Sequence, residues 1–356
     1  NCQTNSKYFH KNTKIPPPRL PLQTIAHSTN ISHFPTKFTK NIFRFPTNFH
    51  KNISHFPTKP LILREKYQYI CTMRGKIFKR KIYERMLQWK KENDGQTALL
   101  IKGARRIGKS TIAEEFARNE YDSYIIIDFS IADNAIKELF SHLSDLNYFF
   151  LRLQSLTGVS LHKRKSAIIF DEVQLYPPAR QAIKHLVKDR RYDYIETGSL
   201  LSIKKNVQNI VIPSEETRIA MHPLDYEEFL WAIGKTQTYE LIKYSFQNLK
   251  PLGDAVNRDL MRDFRLYMLI GGMPQAINAY LEANDFSTVD AVKRNILELY
   301  IDDFRKIDPS GRASRLFSSI PAELSRNTMR YKVGSVIENA TSARLGELLM
   351  DIADSM

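Results

Sequence analysis

Cysteine is nearly absent: Cys2 and Cys71 are the two in 356 residues, and both precede the first segment with a globular pattern. That excludes a disulfide framework and a cysteine-based metal site. Long apolar runs are missing too. No stretch approaches the roughly 18 consecutive apolar residues that a membrane-spanning helix needs. The basic N-terminus has no continuous apolar core and no small-residue cleavage site, so no secretory signal is read there. A cytoplasmic location is the default expectation. Acidic residues are absent from positions 1–64, which carry ten Lys or Arg. The net charge of +15 therefore belongs mostly to that stretch, leaving +5 for the rest. This distribution weakens the nucleic-acid reading that a basic chain invites. The composition, 42% hydrophobic and 26% charged, is that of a globular protein.

The basic stretch repeats itself. Asn30-Ile31-Ser32-His33-Phe34-Pro35-Thr36-Lys37 recurs with small changes from Asn41 and from Asn52, a period of eleven. Its prolines are too frequent for a continuous helix, and with Pro16, Pro17 and Pro18 it reads as disordered low-complexity sequence. Residues 1–72 are expected to be translated upstream sequence, with Met73 as the natural start. The competing expectation is a basic arm for nucleic acid or anionic lipid.

From Gly75 the pattern changes to that of an α/β domain. A helix is expected at roughly 79–92, carrying Ile82, Tyr83, Met86 and Leu87. Short apolar strands follow at 98–101, 124–128, 167–171 and 192–196, alternating with helical segments. That alternation indicates a parallel sheet covered on both faces. Beyond about Leu230 the chain reads as helices, among them 266–270, 289–300 and 343–356. The division expected is a tail (1–72), an α/β domain (73–235), a helical segment (236–309) and a last segment (310–356).

Gly103-Ala104-Arg105-Arg106-Ile107-Gly108-Lys109-Ser110 follows the G-x-x-x-x-G-K-[ST] pattern, between a strand and a helix that starts at Thr111. Glycines there let backbone N–H groups curl around phosphate oxygens. Lys109 can reach the β- and γ-phosphates, and the Ser110 hydroxyl can ligate Mg²⁺. The following helix aims its positive dipole end at the same phosphates. Ile168-Ile169-Phe170-Asp171-Glu172 supplies a second element: Asp171 as the acid that holds Mg²⁺, and Glu172 placed to orient or deprotonate a water. The Asp-Glu pair favours hydrolysis over transfer to another acceptor. No Asn-Lys-x-Asp run is found, which argues against guanine recognition. Thr197-Gly198-Ser199 closes the fourth strand. A hydroxyl there either senses the γ-phosphate or only caps a glycine turn. Arg218, near a fifth strand, is either a group that stabilises phosphate charge in its own or a neighbouring subunit or a surface arginine. Arg105 and Arg106 lie in the loop without a sign that they face a nucleotide.

Taken in order, the P-loop, Phe170-Asp171-Glu172-Val173-Gln174, Thr197-Gly198-Ser199, His222-Pro223-Leu224-Asp225-Tyr226-Glu227-Glu228-Phe229 and Gly271-Gly272-Met273-Pro274 resemble a prokaryotic family of AAA-type ATPases. These proteins pair an AAA-like domain with a C-terminal domain of uncharacterised role. The resemblance runs from about Met73 onward. It implies an ATPase core, a helical segment, a winged-helix-like segment and then a nuclease-like fold that this chain, stopping at Met356, does not complete. By the resemblance Gly103, Gly108, Lys109 and Ser110 bind ATP and Mg²⁺, and Asp171 and Glu172 are the Walker B acids. Gln174 matches an Asp-Glu-x-Gln pattern. The expected function is Mg²⁺-dependent ATP hydrolysis driving a conformational change, with a slow nucleotide-gated interaction module as the alternative. The partners expected are ATP and, through the C-terminal segment, DNA. No membrane partner is expected, and oligomerisation stays open.

Overall fold

The computed structural model describes residues 75–199, 214–326, 331–338, 341, 343 and 345–355. The tail repeats and Met73 lie outside them. All the described residues belong to one compact unit. Helix α1 (Ile82–Asn93) leads through Asp94 and Gly95, both with positive φ, into strand β1 (Ala98–Gly103). Next come α2 (Lys109–Glu120), β2 (Ser123–Asp128), α3 (Asn134–Leu139), α4 (Leu146–Thr157) and β3 (Ser166–Asp171). After α5 (Pro177–Asp189), β4 (Asp193–Ser199) and β5 (Glu216–Met221) complete the sheet. Its order is β2-β3-β4-β1-β5, and every pairing is parallel. β4 thus lies between the strand that carries the P-loop and the strand that ends in Asp171.

The strands read as apolar runs because both faces are covered. Leu99, Ile101, Ala167, Ile169, Ile195 and Ile219 share one core with α1 and α2. Ala98, Ile125, Ile127, Ile168, Phe170 and Tyr194 point the other way, onto α3, α4 and α5. The same alternation buries polar groups beneath the β5 edge. Arg180 of α5 forms a two-bond fork with Glu216, both bonds at 3.0 Å. Glu196 of β4 is fully buried nearby, with neither carboxylate oxygen hydrogen-bonded. Burial, then the neighbouring Glu216, hold its carboxyl well above the ordinary range, against the opposing charges of Arg180 and Arg218.

No strand follows Met221 among the described residues. Helices α6 (Tyr226–Ala232), α7 (Thr238–Gln247), α8 (Asp254–Ile270), α9 (Pro274–Ala283), α10 (Phe286–Ile307), α11 (Arg312–Leu324) and α12 (Gly346–Ser355) complete the chain. Within 310–356 the described residues form α11, a single 3-10 turn at Val333–Ser335, and α12. Asp225 caps α6 in a reciprocal box with Glu228. A third core joins Leu224, Phe229, Ile270, Ala276, Ile277 and Val289. Ile296, Tyr300 and Phe304 of α10, with Ala313, Leu316 and Ile352, enter the same core as Ile101, Ile107 and Ile112. None of the helices among the described residues is long and apolar enough to cross a membrane.

Candidate nucleotide site

The P-loop leaves β1 at Gly103, and a side chain there has no room: a Cβ would lie 2.2 Å from the Met221 carbonyl of β5. Gly108, at φ 94°, needs the left-handed freedom that glycine has. Between them Arg106 also has positive φ, at 67°. Lys109 and Ser110 open α2, so the loop ends on a helix N-terminus with its free N–H groups. Lys109 is buried, and its Nζ donates to the Ala104 carbonyl at 2.8 Å, inside the loop. Burial lowers its pKa; Glu172 and Asp171 oppose that shift, and Arg105 adds to it.

Asp171 ends β3 beside the loop. Its Oδ1 accepts from the Ser110 hydroxyl at 2.6 Å and from the Thr197 hydroxyl. Burial raises its pKa, with Asp128 acting the same way, while the Ser110 and Thr197 bonds and Lys109 pull it down. The Thr197 hydroxyl in turn accepts from the Glu172 N–H at 3.2 Å. Glu172 sits at φ 52°, a left-handed backbone that a non-glycine residue holds only when its surroundings fix it. Its carboxylate accepts from the Gln174 amide. Gln174, whose part the sequence left open, therefore holds the side chain of Glu172.

Lys109, Ser110, Asp171, Glu172 and Gln174 line a cleft of about 650 Å³, within the range of small-molecule sites. One wall is the loop from Arg105 to Thr111 with Asp171 and Glu172. The other is Gly75–Phe78, Arg80, Pro274, Gln275 and Asn278. Arg80 ties the walls together. It is buried, donates to the Ile107 carbonyl at 2.9 Å and to the His222 carbonyl at 2.5 Å, and lies 3.2 Å from Glu228.

Ser110, Lys109, Asp171 and Glu172 are brought together as the motifs predict, within the cleft walls. Ala104 contributes its carbonyl, and Gly103 its close approach to β5. Two expectations change. Thr197 is fully buried and does not line the cleft; its hydroxyl is bonded to Asp171 and to the Glu172 N–H. Arg218 lies mid-strand on β5 opposite Leu100, paired with Glu216 at 3.1 Å, away from the cleft. The edge strand aims it outward, which removes it from this chain's own phosphates. Sequence reasoning missed Arg80, whose carbonyl partners lie 27 and 142 residues away and whose ion-pair partner Glu228 is farther still. It also missed Asp128, which ends β2 in register with Asp171 and lines the cleft. An apolar strand closing on an acid was the available signal for Asp128, the same one that picked out Asp171.

Could the residues hold a magnesium ion? The donors are hard oxygens, one carboxylate and one hydroxyl already 2.6 Å apart. Such a pair suits Mg²⁺, which takes one or two protein ligands and completes its shell with phosphate and water.

Residues 95–230 match the family model described as AAA domain, and residues 261–352 match Domain of unknown function (DUF8612). No curated protein matches the chain. Among solved structures, the Walker-type ATPase PABY2304 of Pyrococcus abyssi is 17% identical at TM-score 0.46, covering 80% of this chain and 92% of that one. AMPPCP-bound DnaA from Aquifex aeolicus is 11% identical at 0.33, over 77% and 82%. PCH-2 of C. elegans is 11% identical at 0.31, over 65% and 68%. With each score below 0.5, the assignment rests on the family model together with the P-loop and sheet. Residues 95–230 are thus an AAA domain carrying the P-loop, and residues 261–352 a second domain, of unknown function.

Proposed function

We propose that the chain binds ATP with Mg²⁺ in this cleft and hydrolyses it to drive a conformational change. The observation that carries the reading is the 2.6 Å bond between the Ser110 hydroxyl and Asp171, flanked by buried Lys109 and by Glu172. Mg²⁺ held by Ser110 and, directly or through water, Asp171 would neutralise charge on the phosphates. Lys109, now bonded to Ala104, is the cation aimed at the β- and γ-phosphates. Glu172 is the group positioned to accept a proton from the attacking water. Thr197 and Gln174 hold Asp171 and Glu172 in place. Location in the cytoplasm belongs to the same reading.

The test separates binding from chemistry. Glu172→Gln should keep Mg·ATP affinity while turnover falls by about 10² or more, as loss of a general base does. Lys109→Ala should lose ATP binding. Wild-type turnover in the glutamine variant would show that the base lies elsewhere; Asp128 would be the next residue to test.

One observation favours the alternative of a slow, nucleotide-gated module: Glu172 is already engaged by Gln174. If that bond restrains the base, Gln174→Ala should raise basal turnover severalfold; a fall in turnover would support a purely positioning role. Action on nucleic acid through the C-terminal helices is checked by turnover with and without DNA, and stimulation would favour a mechanochemical role over the gated one.

A further inference from the structure

The P-loop touches the second domain directly, at Arg105. One of its guanidinium nitrogens lies 2.9 and 3.0 Å from the two carboxylate oxygens of Asp303 on α10. Tyr300, one turn earlier on that helix, donates its hydroxyl to the Arg105 carbonyl at 2.9 Å. Lys306, one turn later, donates to the same Asp303 carboxylate at 3.0 Å. Asp303 and Lys306 both line the nucleotide cleft. Arg105 and Lys109 both line the cleft, and the charge of Arg105 opposes protonation of that lysine, though burial has the larger effect. An anion gathered by Lys109 therefore lies in the field of Arg105. A carboxylate from outside the AAA domain thus neutralises this cation of the phosphate loop.

We propose that the Arg105–Asp303 pair is a nucleotide-responsive latch between the P-loop and the second domain. Nucleotide phosphates compete with the Asp303 carboxylate for Arg105, so binding loosens α10 from the loop. The pair is one in which two acceptors contend for one planar cation, and the phosphate is an acceptor of the kind that guanidinium binds well. This gives the domain of unknown function a place in the cycle as the element that responds to occupancy. It rests on the reading of the cleft as an ATP site.

The test uses the full chain and Mg·AMPPCP as the probe. Hydrogen exchange over residues 296–307 should rise when the probe saturates the wild type. Asp303→Asn should bind the probe about tenfold more tightly, within the usual span of coupling between sites. Its α10 exchange without nucleotide should already match that of the bound wild type. Arg105→Ala should loosen α10 equally but gain no affinity, because the contested cation is gone. Failure of the wild type to bind the probe would overturn the ATP site and the latch with it. Binding without a change at α10, or unchanged or weaker affinity in Asp303→Asn, would overturn the latch alone.

Discussion

At the scale of single residues, Glu196 is the group with the clearest energetic signature. Its carboxyl is buried without a hydrogen bond to either oxygen. Burial and then Glu216 raise its pKa well above the ordinary 4.5. The folded chain therefore holds this proton more tightly than the unfolded chain, so stability is greatest below the ordinary value and falls as the pH rises through the raised one. Glu196→Gln removes that dependence at nearly constant shape. Urea unfolding should find the variant close to wild type at pH 5 and more stable than wild type by pH 8, by about 1 kcal/mol or more. A variant that loses ground to wild type as the pH rises would show that Glu196 works as a carboxylate, paired with Arg180. None of this was legible in sequence. Glu196 stands in a run of otherwise strand-like residues, and its neighbours Arg180 and Glu216 come from a helix and from the next strand. Lys109, Ser110, Asp171 and Glu172 were legible for the opposite reason: their chemistry dictates local spacing, and the apolar strands before them fix where they point.

At the scale of elements, the sheet and the P-loop helix followed from pattern, because strands buried on both faces must be apolar along their whole length. The order β2-β3-β4-β1-β5 did not, since pairing joins segments tens of residues apart. Arg80 shows the cost of that blindness. In sequence it is one of several basic residues ahead of α1, yet it links the P-loop, the exit of β5 and the first turn of α6. Arg80 and Glu228 are both about 6% exposed, so removing one leaves the other's charge buried without its counter-ion. Arg80→Met should destabilise the chain by about 3 kcal/mol, as breaking a buried pair does. Adding Glu228→Gln should recover part of that loss, because the two residues share one interaction. Denaturant midpoints of the two single variants and the double variant decide it. Strictly additive losses would mean that Arg80 acts through the Ile107 and His222 carbonyls alone.

At the scale of the whole molecule, charge and catalysis occupy different parts of the chain. Residues 1–64 carry ten basic residues and no acid, while every residue proposed for the site lies beyond Gly75. Deleting residues 1–72 should leave ATP turnover unchanged and remove only weak binding to polyanions, with the salt slope that counterion release gives it. Turnover and DNA binding measured across a salt series would show this, and loss of basal turnover would contradict it. The core has its own consequence at this scale. Ile101, Ile107 and Ile112 of the AAA domain pack in one cluster with Ile296, Phe304, Leu316 and Ile352 of the second. Two regions separable by sequence comparison are thus closed over a shared interior. A recombination event, or an expression boundary, placed between residues 230 and 261 would strip one wall from that interior and expose aliphatic surface on both fragments. Each half would then be prone to aggregate, so exchange of parts among related chains is expected to carry both regions across together.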